Sequence, residues 1–66
     1  MQIIVNGQPQ TRETSVTLGG LLAEMNLQPR RVAVELNRQI VRRAQYEHTL
    51  LRDGDCLEIV TLVGGG

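Results

Sequence analysis

The sequence has no lysine, no tryptophan and no phenylalanine, and it has one tyrosine, one histidine and one cysteine. Without lysine the chain forms no Schiff base and accepts no lysine-linked conjugate through its own side chains. With Cys56 alone it has no internal disulfide, which suits a reducing cytoplasm, the expected location. Cys56 and His48 have no second ligand at metal spacing, so no metal site is expected. Tyr46 is the sole aromatic for stacking a base. The formal net charge is zero, so no long-range field draws the chain to nucleic acid or anionic lipid, and neither partner is expected. No apolar run approaches the roughly 20 residues a spanning helix needs, and no basic segment leads into an apolar one at the N-terminus, so no signal peptide is expected.

Sixty-six residues make one small domain that buries only about 60% of its unfolded surface. That leaves no room for a core and a deep catalytic cleft together. A triad-like device needs several groups converging in a pocket, and Ser15, His48 and Asp53 are candidates on paper only. The chain is therefore expected not to be an enzyme. Cys56 falls in a β-prone stretch and reads as a small buried hydrophobe rather than a nucleophile. Arg30-Arg31 and Arg42-Arg43 read as a solvated face or a docking surface for an acidic partner. Asp53-Gly54-Asp55 lacks the remaining ligands of a calcium loop and reads as a turn.

What is present is a regular order of elements. Gln2 to Val5 alternates as a strand, and Asn6-Gly7 is a hairpin signal because both residues tolerate positive φ. Gln8 to Thr14 returns as a more polar strand, with Pro9 suggesting an edge. Ser15 and Thr17 are candidate N-caps. Leu18, Leu21, Leu22 and Met25 then recur at helical spacing. Gly19 and Gly20 weaken that helix by up to ~1 kcal/mol each relative to alanine, so packing must hold it. Asn26 is a left-handed stop, and Pro29 limits continuation. Val32, Val34 and Leu36 alternate as a half-buried strand. Asn37-Arg38 reads as a turn, Gln39 to Val41 as a short strand and Arg42 to Leu51 as a loop with a helical turn. Cys56 to Val63 is the longest β-prone stretch.

Two strands, a helix and two or three more strands require one helix to cover one face of a mixed sheet. A crossover through the helix then brings a later strand beside the first hairpin. The expected fold is α+β, a β-grasp (ubiquitin-like) roll of four to five strands with one main helix. Its core is expected to hold Ile3, Val5, Leu18, Leu22, Met25, Val34, Leu57 and Ile59. With Leu57 and Ile59 turned inward, Ile4, Val60 and Leu62 point outward and are expected to form a partner-docking patch. The alternative is that the Arg42–Leu51 loop covers that face.

The sequence ends Val63-Gly64-Gly65-Gly66. Residues 1–63 are expected to form the domain and 64–66 a flexible glycine tail. Glycine has no Cβ and populates most of φ/ψ space, so three residues reach roughly 10 Å when extended. Such an end threads a narrow channel and presents an uncrowded carbonyl carbon. The Gly66 carboxylate is the candidate working group, with Gly64 and Gly65 needed to enter a partner's channel. A frayed terminus is the plain alternative.

The upstream residues decide between these. Asp53-Gly54-Asp55 followed by Leu57 through Gly66, with the opening Ile3-Ile4-Val5-Asn6-Gly7 and the Val32-Ala33-Val34 strand, resembles the ThiS family, the sulfur carriers of thiamin (thiazole) biosynthesis. The resemblance covers the whole chain. It implies a protein co-substrate, with no cofactor bound. An E1-like adenylyltransferase of ThiF type would consume MgATP to turn the Gly66 carboxylate into an acyl-adenylate. A persulfide sulfur donor protein would then supply the sulfur of a thiocarboxylate, and a ThiG-type thiazole synthase would accept it. The molybdopterin-synthase small subunit shares the fold but usually has a proline just upstream of its glycines, and ubiquitin-type modifiers usually have arginine there. Thr61-Leu62-Val63 contains neither. A carrier for another sulfur pathway and a modifier conjugated through Gly66 remain the alternatives.

Overall fold

The computed structural model describes residues 1–62. Strands β1 (Gln2–Val5) and β2 (Gln8–Thr11) form the first hairpin, and helix α1 (Leu18–Glu24) follows. A short 3-10 turn at Pro29–Arg31 leads into β3 (Val32–Leu36) and β4 (Gln39–Val41), a second 3-10 turn spans Arg43–His48, and β5 (Cys56–Thr61) comes last. The five strands make one sheet in the order β2-β1-β5-β3-β4. The two hairpins and the β3–β5 pair are antiparallel, whereas β1 and β5 run parallel. This is the β-grasp roll expected from the element order, with its last strand at the centre of the sheet.

Local chemistry explains each boundary. Thr17 is the cap of α1, its hydroxyl accepting the Gly20 N–H at 3.0 Å, so Ser15 is not used. Asn26 sits at φ 60. Around it the Leu27 N–H donates to the Leu22 carbonyl at 2.9 Å and the Asn26 N–H to the Ala23 carbonyl at 3.1 Å. That pattern is the Schellman closure, which satisfies carbonyls a helix end otherwise leaves open. Asn6 and Gly7 stand at φ 51 and 80, and Asn37 and Arg38 at φ 52 and 71. Both hairpins therefore use the mirror-image turn whose twist matches that of the strands.

The core comprises Ile3, Val5, Leu18, Leu21, Leu22, Val32, Val34, Tyr46, Leu51, Leu57 and Ile59. Met25, expected among them, is only half-buried and packs against its edge, because it is already the C-cap of α1. Leu21, Val32, Tyr46 and Leu51 join the residues expected. The second 3-10 turn packs against α1, so Tyr46, 3% exposed, fills the helix side of the sheet. The Arg42–Leu51 segment therefore does not cover the opposite face. Strand β2 ends at Thr11 rather than Thr14, and β5 ends at Thr61; Val63, the expected end of that strand, lies outside the described residues.

Candidate functional site

The candidate site is the end of β5. This strand is held on both sides, by β1 through Ile4↔Cys56 and Val5↔Leu57 and by β3 along its whole length from Leu36↔Leu57 to Val32↔Thr61. Leu57 and Ile59 are sunk in the core at 0% and 8% exposure. Beyond Val5 the first strand has no more residues to offer, and the side chain of Asn6 takes over. Its Oδ1 accepts the Ile59 N–H at 2.7 Å and its Nδ2 donates to the Ile59 carbonyl at 3.2 Å. A carboxamide carries the same donor and acceptor as a peptide group, so Asn6 adds one more rung beside β5. Asn37 grips the other end of the strand: its backbone N–H donates to the Cys56 carbonyl at 2.8 Å and its Oδ1 accepts the Cys56 N–H at 3.0 Å. Sequence reasoning read both asparagines as turn formers only. Their second role depends on a strand 19 and 53 positions away and has no local signal.

Past the last rung, the Leu62 N–H donates to the Arg31 carbonyl at 2.7 Å, so the chain is held to the sheet up to position 62. Gly64, Gly65 and Gly66, the residues on which the expected chemistry falls, lie outside the described residues.

Ile4, Val60 and Leu62 are all exposed on the outer face, at 38%, 60% and 48%. They do not form one patch. Ile4 stands opposite Cys56 and Val60 opposite Ala33, and the step of about four residues from Cys56 to Val60 puts about 13 Å between them at about 3.3 Å per residue. Val60 and Leu62 share the exit end of β5, and Ile4 belongs to the other end. Ile4 does not join Val60 and Leu62, because β1 runs parallel to β5 and stops where β5 has only begun.

Cys56 also departs from expectation, being exposed. On a strand whose Leu57 and Ile59 point inward, residues 56, 58 and 60 must point outward. Cys56 opens onto a shallow concavity shared with Glu35, Asn37, Arg38 and Glu58. His48 is exposed at the end of the second 3-10 turn, Ser15 is exposed before α1, and Asp53 Oδ1 accepts the Gln2 backbone N–H at 2.7 Å. Among the described residues no group of three or more histidine, cysteine or acidic side chains is placed to hold a metal. No described helix is long and apolar enough to cross a membrane.

The titratable side chains do structural work. Arg12 donates from both terminal nitrogens to Glu24, at 2.8 and 2.7 Å. That bond raises the guanidinium's pKa and lowers the carboxyl's. Burial raises the Tyr46 phenol, with Arg43 opposing. None of these groups supplies an acid, a base or a nucleophile at the end of β5.

A sequence model of the ThiS family matches residues 3–66. The thiazole synthase of Paramagnetospirillum magneticum is 41% identical over all 66 residues, and the chain spans about one fifth of that relative's length (20%). The sulfur carrier protein ThiS of Escherichia coli is 30% identical over 66 residues, with both chains covered completely. Among solved structures, the crystal structure of the thiamine biosynthesis protein (ThiS) from Geobacter metallireducens superposes with a TM-score of 0.84 at 35% identity, again over the whole of both chains.

Proposed function

The chain belongs to the ThiS family, and from that premise we propose that it is a sulfur carrier of thiamin biosynthesis that works through the carboxylate of Gly66. The observation that carries the reading is the extent of the family match, which runs through Gly64, Gly65 and Gly66 to position 66. The full-length likeness to a protein named as a sulfur carrier supports it. The thiazole synthase that matches all 66 residues within a longer chain supports thiazole synthase as the acceptor of the sulfur.

The chemistry required is acyl activation. A terminal carboxyl has a pKa of about 3.5, so at neutral pH it is an anion and a poor electrophile. Transfer of an adenylyl group from ATP, with loss of pyrophosphate, removes that charge and installs a leaving group. The terminal sulfur of a persulfide then attacks the acyl carbon and expels AMP. Reduction of the resulting S–S bond by a thiol leaves the thiocarboxylate. The glycines let the acyl carbon reach a partner's active site without a side chain in the path of attack. The folded body contributes recognition, and its rigid β5 fixes the point from which the terminal residues depart. Docking the body raises the effective concentration of the terminus at that active site. In this role the chain is a co-substrate, and the catalysts are its partners.

The test is to incubate the chain with a ThiF-type adenylating enzyme, MgATP and a persulfide donor. Intact mass should rise by the exchange of one oxygen for one sulfur, and the chain lacking Gly66 should show no rise. An unchanged mass in the full chain refutes the carrier reading. Appearance of the chain linked to lysines of other proteins would identify a modifier instead.

A further inference from the structure

We propose that the exit end of the sheet is a docking surface for an acidic face of a protein partner, and that Arg30, Arg31, Arg42 and Arg43 recognise it around the apolar centre made by Val60 and Leu62. For the partner's identity this rests on the carrier reading, which makes the adenylating enzyme the first protein to receive the chain.

Three connections bring the arginines to one place. Leu62 is hydrogen-bonded to the carbonyl of Arg31. Val41 pairs with Val34, so the next residue, Arg42, comes alongside Ala33, whose partner on the other side is Val60. The 3-10 turns that carry Arg30-Arg31 and Arg43 touch each other. All four arginines are exposed. Arg12–Glu24 is the one ion pair among the described residues, so no described carboxylate lies within pairing distance of the four. Glu47, four residues past Arg43, lies over α1 instead, where a Cβ on Gly19 would meet its Oε1 at 2.6 Å.

The zero net charge therefore conceals a division. Glu35 pairs with Glu58 at the far end of β3 and β5, and Asp53 and Asp55 flank the turn before β5, where they accept the backbone N–H groups of Gln2 and Arg52. Arg38 and Arg52 lie at that acidic end. Four exposed guanidinium groups around exposed aliphatic carbon match the composition of an interface centre, where arginine is enriched and its planar fork meets carboxylates two bonds at a time. An extended polyanion fits less well. It would gain nothing from Val60 and Leu62, it would meet the acidic end, and the sole aromatic side chain, Tyr46, is 3% exposed and cannot stack a base.

The experiment measures Kd between the chain and the ThiF-type adenylating enzyme of the same organism by calorimetry, at low and high salt. The pair Arg31→Glu and Arg42→Glu should weaken binding about tenfold or more and abolish its salt dependence. The pair Arg38→Glu and Arg52→Glu, which changes net charge equally, should leave Kd within about twofold. Circular dichroism melts check that both variants fold, and the neutral Arg31→Gln with Arg42→Gln should give an intermediate loss that does not depend on an introduced acid. Equal weakening by both charge-reversed pairs, or by neither, overturns the proposal. Tighter binding of the unaltered chain to a duplex oligonucleotide than to the enzyme also overturns it. If the unaltered chain gains sulfur while the Arg31 and Arg42 variants bind normally, the docking surface falls and the carrier reading stands. If the unaltered chain neither binds nor is modified, both fall.

Discussion

At the scale of single residues, the separation of inward and outward positions on β5 governs what each side chain does. Leu62→Glu should leave the melting temperature within a few degrees, because Leu62 is half exposed and its backbone bond to Arg31 survives. It should slow modification of Gly66 by the adenylating enzyme, read as a lower rate of mass gain. Ile4→Glu, on the same face but at the other end, should leave that rate unchanged. Arg12 and Glu24 allow a pH test. The folded Glu24 carboxyl lies below its ordinary 4.5, so its contribution is present above that value and is lost as pH falls through the folded pKa. The gap in melting temperature between the unaltered chain and Glu24→Gln should therefore narrow as pH falls below 4.5. The absence of any gap at neutral pH would mean that packing of the arginine stem, and not charge, holds Arg12 against α1.

At the scale of elements, asparagine does most of the joining. Asn6→Ala removes both bonds to Ile59 and puts a β-carbon residue with no local hydrogen bond at φ 51. The expected loss is about 1–3 kcal/mol in urea unfolding, and amide exchange at Ile59 should quicken most. A smaller loss, with exchange unchanged there, would show that the β3 ladder alone holds β5. Among the described residues Arg38 is the one that is neither glycine nor asparagine yet is held at positive φ, at 71. Arg38→Gly should raise stability by about 0.5–1 kcal/mol, since the second hairpin then acquires the Asn-Gly pair that the first already has. Thr17→Ala should cost about 1 kcal/mol, because the Gly20 N–H then loses its acceptor.

At the scale of the whole molecule, the parallel pairing of β1 and β5 joins the two ends of the chain's order. Ile3, Val5, Leu57 and Ile59 meet α1 in one layer, so the core is not complete until the last strand is in place. Leu57→Ala, at a fully buried position, should cost about 2–5 kcal/mol, a large share of what a domain of this size has, and should lower the urea midpoint accordingly. Much of this architecture was legible beforehand. Turn chemistry at Asn6-Gly7 and Asn37-Arg38, the four-residue stripe from Leu18 to Met25 and the alternation from Val32 to Leu36 each act over a few positions, so the residues themselves dictate them. So does the inward parity of Leu57 and Ile59, which places Val60 and Leu62 outside and contradicts the buried reading of Cys56 without any coordinates. What the linear order could not hold is the register between distant strands. Pairing of Ile4 with Cys56 and of Ala33 with Val60 breaks the expected apolar patch in two, turns two asparagines into clamps on β5, and gathers Arg30, Arg31, Arg42 and Arg43 around the strand's exit. Local sequence chooses the conformation of each segment and which side it buries. Only closure of the sheet, through hydrogen bonds between segments up to fifty-three positions apart, decides which exposed residues become neighbours.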